Sequence, residues 1–310
     1  MKKEVTVAIP VFNGEKFILE ALESIVEQTR PVDHIVVCDN QSTDKTVSII
    51  NQFKSKYKDI DIQLHINHAN IGNIKNYNKC LNLCSSDYLL ILSSDDKLKP
   101  DAISKLAAFL DENPNIAFVA GEKDFFDESS NIIETARKKQ DQIFKKGEVM
   151  EFILATGMWI QHSSTLFNTK YTNEIGLWDP DYIGGDERFY ASVVQKFPIA
   201  LLGDSLIFER RHLEQLGKKE LLRFKDKLMH FKKNIQIADI ESNDERRKKT
   251  KRILKKWVGS QCIVIGRKVW KNEKKPLLAL KYWIYGLTHN PTILFQTYFI
   301  KTIARSLLNK

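Results

Sequence analysis

The chain predicts an α/β fold, a parallel sheet with helices on both faces, followed by a basic helical extension. Three observations carry that expectation. Short apolar runs alternate with amphipathic helical patterns over the first 92 residues, each run ends in a polar loop, and the charge balance changes sign late in the chain. Strands alternating with helices favour parallel pairing through crossover connections.

The elements follow in order. Residues 5–9 form an apolar run that stops at Pro10, and 15–27 place Phe17, Ile18, Ala21, Leu22 and Ile25 at the spacing of one helix face. A second strand is expected over 34–38, and a helix over 44–57 with Ser42 or Thr43 as its cap. A strand over 62–66, a helix over 73–83 and a strand over 88–92 complete the alternation. The first strand is followed by neither Gly-x-Gly-x-x-Gly nor a Walker loop, which argues against dinucleotide and P-loop readings.

Composition limits the class. With 310 residues, 43% hydrophobic and 28% charged, the chain matches a soluble globular protein. Cys38, Cys80, Cys84 and Cys262 show no paired metal spacing, so a reducing compartment is expected. The N-terminal apolar run is short and lacks a cleavage pattern, and no stretch reaches the roughly 18 apolar residues of a spanning helix. A cytoplasmic location follows as the expectation. The net charge of +9 is uneven: residues 1–217 carry 24 Lys+Arg against 32 Asp+Glu, and residues 218–310 carry 24 against 7. Such a basic segment suits nucleic acid, an anionic membrane or an acidic partner, or is a solvated helical surface. With no base-reading module in sight, no nucleic-acid partner is expected.

Four polar loops then gather at one sheet edge: Pro10-Val11-Phe12-Asn13-Gly14, Asp39 to Asp44, Asn67 to Asn73, and Ser93-Ser94-Asp95-Asp96. Asp39 can accept a hydrogen bond from a ring N–H or sugar hydroxyl, or make an Asx turn or helix cap. Amides around Asn70 and Asn73 can face an anion. The adjacent Asp95 and Asp96 repel each other, which a cation opposite them would relieve; the alternative is an exposed turn with two solvated acids.

In this order, Ile9 to Gly14, Asp39 to Asp44, Asn70-Ile71-Gly72 and Ser94-Asp95-Asp96 resemble the successive motifs of glycosyltransferase family 2, inverting enzymes of the GT-A fold. The resemblance covers about residues 4 to 217. It implies a Rossmann-like, mixed but mostly parallel central sheet flanked by helices. A GT-A domain over 1–217 would comprise a nucleotide-sugar-binding half (1–120) and an acceptor-binding half (121–217), with 218–310 a basic helical extension. It also implies a nucleoside-diphosphate-sugar donor, contacted by Pro10, Val11, Asn13, Glu15, Asp39, Asn70, Asn73, Lys75 and Asp95. Asp39 would meet the base, Asp95 the ribose, and Asp96 a divalent metal, Mn²⁺ or Mg²⁺, acting as Lewis acid on the leaving diphosphate. Two positions depart from the pattern: Ser94 stands where many relatives have an acid, and Asn40 replaces the second acid after strand two.

The segment 157–190 resembles the family's acceptor region. Displacement at the anomeric carbon needs one carboxylate to take the acceptor's proton, a role that falls to Asp186. Trp159, His162, Trp178 and Glu187 are candidate acceptor contacts, although bulky aromatics are more often core and acids at a helix start more often caps. Phe208-Glu209-Arg210-Arg211-His212 resembles the family's closing Arg-x-His, with Arg210 at the diphosphate and His212 at the metal.

Beyond it, 241–256 reads as a solvated basic helix or linker. Residues 276–287 read as a helix with Leu277, Leu280, Ile284 and Leu287 on one face and Tyr282 and Trp283 beside them. Asn290-Pro291 would open a last helix carrying Phe295, Phe299 and Ile303. These helices suit a membrane interface, or pack on the catalytic domain or a second subunit of an oligomer. The functional expectation is transfer of a sugar from a UDP-sugar to a hydroxyl of a lipid-linked surface glycan, peripheral on the inner face of the cytoplasmic membrane. A dTDP-rhamnose transferase and a non-catalytic nucleotide-sugar-binding scaffold are the alternatives.

Overall fold

A computed structural model describes residues 2–156, 160, 162–180, 185–212 and 224–292, the side chains of Asp186, Asp226 and Asn272 excepted. The chain divides into two compact units, Met1–Leu213 and Glu214–Lys310.

The first unit opens with β1 (Val5–Val11), α1 (Ile18–Val26), β2 (His34–Asp39), α2 (Thr46–Lys56), β3 (Asp61–Ile66), α3 (Asn73–Leu83) and β4 (Tyr88–Ile91). These are the strands and helices expected from periodicity: α1, α2 and β4 are shorter than expected, α3 matches, and β1, β2 and β3 run longer, β1 passing through Pro10 to Val11. β5 (Lys97–Leu98), α4 (Ala102–Glu112), β6 (Phe118–Phe126), β7 (Ile132–Glu134), β8 (Gln142–Phe144) and α5 (Val149–Thr156) follow. A 3₁₀ turn (His162–Ser164), β9 (Thr165–Asn168), α6 (Thr169–Thr172), α7 (Gly185–Lys196) and β10 (Ile199–Arg210) complete the unit.

The sheet order is β3-β2-β1-β4-β9-β6-β10-β5, with β7 beside β6 and β8 beside β10. β3, β2, β1 and β4 run parallel, whereas β9 is antiparallel to both its neighbours. All seven residues of β1 are buried because it is paired on both edges and covered on both faces. α1 turns Ile18, Ala21, Leu22 and Ile25 inward against Val5, Val7, Leu90 and Leu106 of the same core. Chain order reverses at the β1–β4 pair, and sheets of this kind leave a crevice beyond the strand ends at such a switch point.

α2 differs from expectation at its start. It begins at Thr46, whose N–H donates to Asp44 Oδ1 at 3.0 Å. Ser42 and Thr43 are not its caps, because Ser42 Oγ accepts from Asn13 N (2.8 Å) and Thr43 N donates to Asn13 Oδ1 (2.9 Å).

The second unit contains α8 (Phe224–Gln236), a 3₁₀ turn (Ile237–Ile240), α9 (Asp244–Glu273) and α10 (Pro276–His289). The charged run read as a helix or linker is the first half of α9, a 30-residue helix capped by Asn243 Oδ1, which accepts from Arg246 N at 3.0 Å. Lys274 in the left-handed region (φ 55°) reverses the chain, and Pro276 opens α10. The two helices approach closely: a Cβ on Gly259 would lie 2.9 Å from Gly286 O, and one on Gly266 would collide with Trp283 Nε1. The helix expected after Asn290-Pro291 lies outside the described residues beyond Thr292. Among the described residues no helix is long and apolar enough to cross a membrane.

Candidate functional site

The loops after β1, β2 and β3 are tied together by side chains. Asn13 adopts φ 52°, and its Oδ1 takes Thr43 N; Glu15 Oε2 accepts from Lys45 N (2.9 Å) and Glu15 N donates to Asp44 Oδ2 (3.0 Å). The side chains of Asn13 and Glu15, expected on the nucleotide, are therefore spent joining two loops. Pro10 and Val11 are the buried last residues of β1.

Behind Asp39 lies an amide network. Asn40 Nδ2 donates to Asn70 Oδ1, and Asn40 Oδ1 accepts from Asn67 Nδ2 and Ile71 N, each at 2.9 Å. Asn67 Nδ2 also donates to Asn76 Oδ1 (2.9 Å), and Asn76 Nδ2 to Cys38 O (2.8 Å). Asn70 thus holds Asn40 and Gly72 N rather than standing open. Asp39 itself is fully buried. Its Oδ2 accepts from Ser42 N at 2.9 Å, while its Oδ1 has no partner among the described residues. An unpaired buried acceptor costs about 1–3 kcal/mol, so a ligand bringing an N–H there recovers that cost. Asn73 and Lys75 are exposed in the first turn of α3.

The β4 end is built from charges. Asp96 is 2% exposed; its Oδ2 accepts from Ser163 Oγ (2.7 Å) and its Oδ1 from Arg210 N (3.1 Å). Burial, and then the Asp95 charge beside it, push the Asp96 carboxyl well above the ordinary carboxylate range. Asp95 keeps 27% of its side chain exposed, and its Oδ2 lies 2.9 Å from His212 Nε2. In this geometry Asp96 is an internal tie between β10 and the 3₁₀ turn, and Asp95 is the more accessible carboxylate. A carboxylate oxygen beside an imidazole nitrogen fits Mn²⁺ or Mg²⁺, provided the remaining ligands are diphosphate oxygens and water. Among the described residues no group of three His, Cys, Asp or Glu side chains could hold an ion unaided.

Arg210, expected at the diphosphate, is a buried strut. Its guanidinium is sandwiched between Phe17 and Phe126, with ring centroids 4.4 and 4.1 Å away. Its Nε donates to Asp95 O (3.0 Å), one terminal nitrogen to Asp127 O (3.2 Å) and Glu128 O (3.3 Å), and the other pairs with Glu20 Oε2 (3.1 Å). Burial opposes ionisation of Glu20, but the Ser130 hydroxyl, Arg210 and Lys97 outweigh it and hold its carboxyl below the ordinary range. Phe17 also packs on His212, with centroids 5.1 Å apart.

His162 and Trp178 line the floor rather than an acceptor cleft. His162 Nε2 is 2.9 Å from both Tyr77 OH and Ser93 Oγ, and burial lowers its pKa to about 4, so the ring is neutral. Trp178 is buried and stacks on Tyr77 (centroids 5.0 Å apart, 24° between planes), which removes its faces from any sugar. Asn78 grips its backbone in both directions, at 2.9 and 2.7 Å. Glu187 is buried on α7 beside Phe189, which packs against Trp178 and Phe167. Asp186 lies in the first turn of α7, and its side chain falls outside the described residues, as does Trp159. Reading the motifs alone missed Ser42, Asn67, Asn76, Tyr77 and Ser163; the clustering of asparagines after β2 and β3 was the available signal for the network.

A parallel four-strand half-sheet continued by an antiparallel β9, with loops converging beyond β1, β2 and β4, defines the GT-A fold. The chain belongs to glycosyl transferase family 2, whose family profile matches residues 6–183. It is similar, at 34% identity over 113 residues, to the poly(ribitol-phosphate) beta-glucosyltransferase of Bacillus spizizenii, a match covering 36% of this chain and 18% of that protein. It is 26% identical over 241 residues to an uncharacterized glycosyltransferase of Methanocaldococcus jannaschii, covering 74% of this chain and 80% of that one. Residues 1–349 of Staphylococcus aureus TarS, solved in complex with UDP-GlcNAc, share the fold, with a TM-score of 0.67 at 18% identity over 92% of this chain and 79% of that one.

Proposed function

We propose that the protein is an inverting glycosyltransferase that moves a sugar from a pyrimidine nucleoside diphosphate to a hydroxyl of a growing, lipid-linked surface glycan. The observation that carries the reading is the buried, unpartnered Asp39 Oδ1 at the end of β2. The N3–H of uracil or thymine supplies the missing donor, whereas cytosine has no such proton, so UDP- and dTDP-sugars are favoured over CDP-sugars. The name of the Bacillus relative, which specifies a poly(ribitol phosphate), supports a surface polymer as acceptor.

In this reading the amide network holds the loop that carries Asp39 rigid, and the exposed start of α3 with Lys75 offers amides and a cation to the diphosphate. Asp95 and His212 would hold a divalent ion, which when bound offsets charge on the departing diphosphate. Arg210 and Phe17 fix Asp95 and His212 against each other. Asp186, in the first turn of α7, takes the acceptor's hydroxyl proton as that oxygen attacks the anomeric carbon from the face opposite the leaving group.

Two measurements test this. UDP and dTDP should raise the melting temperature, more so with Mn²⁺, and CDP should not; a shift with CDP alone would remove Asp39 from base recognition. Asp186→Asn should keep the UDP shift and lose turnover across a panel of UDP- and dTDP-sugars. Turnover retained by that variant rules out Asp186 as the base.

A further inference from the structure

α10 has two faces of unequal fate. Ala279, Tyr282, Trp283 and Gly286 turn toward α9 and are buried, with Trp283 stacked on Trp270 at 5.7 Å. On the opposite side, within an arc of about 60° by helical geometry, stand Leu277, Leu280 and Ile284, exposed by 76%, 48% and 54%. Trp283, expected beside this row, instead stacks on Trp270 of α9, and Tyr282 packs edge-on against Phe224 of α8 at 4.8 Å, so the exposed aliphatic row is not the stripe that holds the hairpin together. A helix facing water on that side would carry polar residues there.

The surroundings of the row are cationic. Residues 267–281 contain Arg267, Lys268, Lys271, Lys274, Lys275 and Lys281 and a single acid, Glu273, which pairs with Lys275 at 3.1 Å. Lys268, Lys271, Lys274, Lys275 and Lys281 are all exposed. We infer that the outward face of α10 docks on an anionic lipid surface, with Leu277, Leu280 and Ile284 inserting among the acyl chains and the surrounding lysines meeting lipid phosphates. A short amphipathic helix with basic flanks has the form of an interfacial anchor. A second protein copy fits less well, because a stable interface engages about 20–30 residues a side and this row supplies three. The inference is independent of the proposed catalysis, since vesicle binding needs no donor.

The test uses the full chain and vesicles of phosphatidylcholine with or without phosphatidylglycerol, read by co-flotation at two salt concentrations. The protein should float with the anionic vesicles and not with pure phosphatidylcholine. The variant Leu277→Ser/Leu280→Ser/Ile284→Ser should bind at least tenfold more weakly with an unchanged melting temperature, because the three side chains face outward. Lys274→Ala and Lys275→Ala should each weaken binding about fivefold. Equal binding by the triple variant overturns the inference. So does a wild-type dimer in light scattering that the variant abolishes without any vesicle binding, and so does DNA competing the protein off the vesicles.

Discussion

The two ends of the candidate site solve the same problem with opposite chemistry. Beyond β2 and β3, Asn40, Asn67, Asn70 and Asn76 form a neutral amide network that satisfies nearly every polar atom and leaves one oxygen of Asp39 unpaired. Beyond β4, Asp95, Asp96, Arg210, Glu20 and His212 form a network of charges in which each group holds the next. The neutral end shapes one recognition point. The charged end holds a carboxylate and an imidazole side by side, and its weak point is the buried Arg210, whose removal leaves Glu20 without this partner.

The sharpest way to break this contrast is at the accessible acid. Asp95→Asn should lower donor turnover about a thousandfold, as loss of a group opposite developing charge does, with the melting temperature held within a few degrees. Measured by release of nucleoside diphosphate, an Asp96→Asn variant that lost more turnover than Asp95→Asn while staying folded would restore Asp96 as the metal ligand. Arg210→Met should cost about 3 kcal/mol of stability in denaturant unfolding, because Glu20 and three carbonyls lose their partner together.

A pH experiment probes the floor between the two ends. His162 is neutral when folded, with a pKa of about 4 against 6.5 for a free imidazole. The unfolded chain therefore binds more protons between these values, and stability is lost as the pH falls through that window. The wild type should lose about 2 kcal/mol from this group between pH 7 and pH 5, and His162→Gln should show a correspondingly flatter profile. The smallest effect belongs to the neutral end. Asp39→Asn should weaken UDP binding about tenfold, or about 1.4 kcal/mol, without lowering the melting temperature, because it removes an acceptor the folded protein leaves unused.

The fold was legible because it rests on local periodicity: β1 to β4 and α1 to α3 each carry their own pattern, and the loops between them carry the family's motifs in order. The site was legible in position but not in orientation. Asp95 and Asp96 are indistinguishable as neighbours in sequence; Ser163 and the Arg210 backbone, 67 and 114 residues away, decide which one turns inward. Arg210 was expected at the diphosphate through its resemblance to the family's closing Arg-x-His, yet Phe17 and Phe126 close over it from elements far apart in the chain. Trp178 was ambiguous for the same reason: its stacking partner Tyr77 sits on α3. Periodicity names the apolar face of a helix, and only the neighbour's position tells whether that face is covered, as α10 illustrates.

The strand order also sets a schedule for synthesis. β1 leaves the ribosome first, but it lies between β2 and β4 and stays open on one edge until residues 88–91 emerge. From that moment the strands β3, β2, β1 and β4, with Asp39 at the end of β2, can close as a unit of mostly near-neighbour crossovers. β4's other edge waits for β9, and His212 is made only after β10. During that interval a nascent chain presents a finished four-strand half-sheet with an unpaired apolar strand at its margin, the kind of edge that recruits chaperones or neighbouring nascent chains. The half that would recognise the base is thus also the half whose sheet edge must be protected until synthesis catches up.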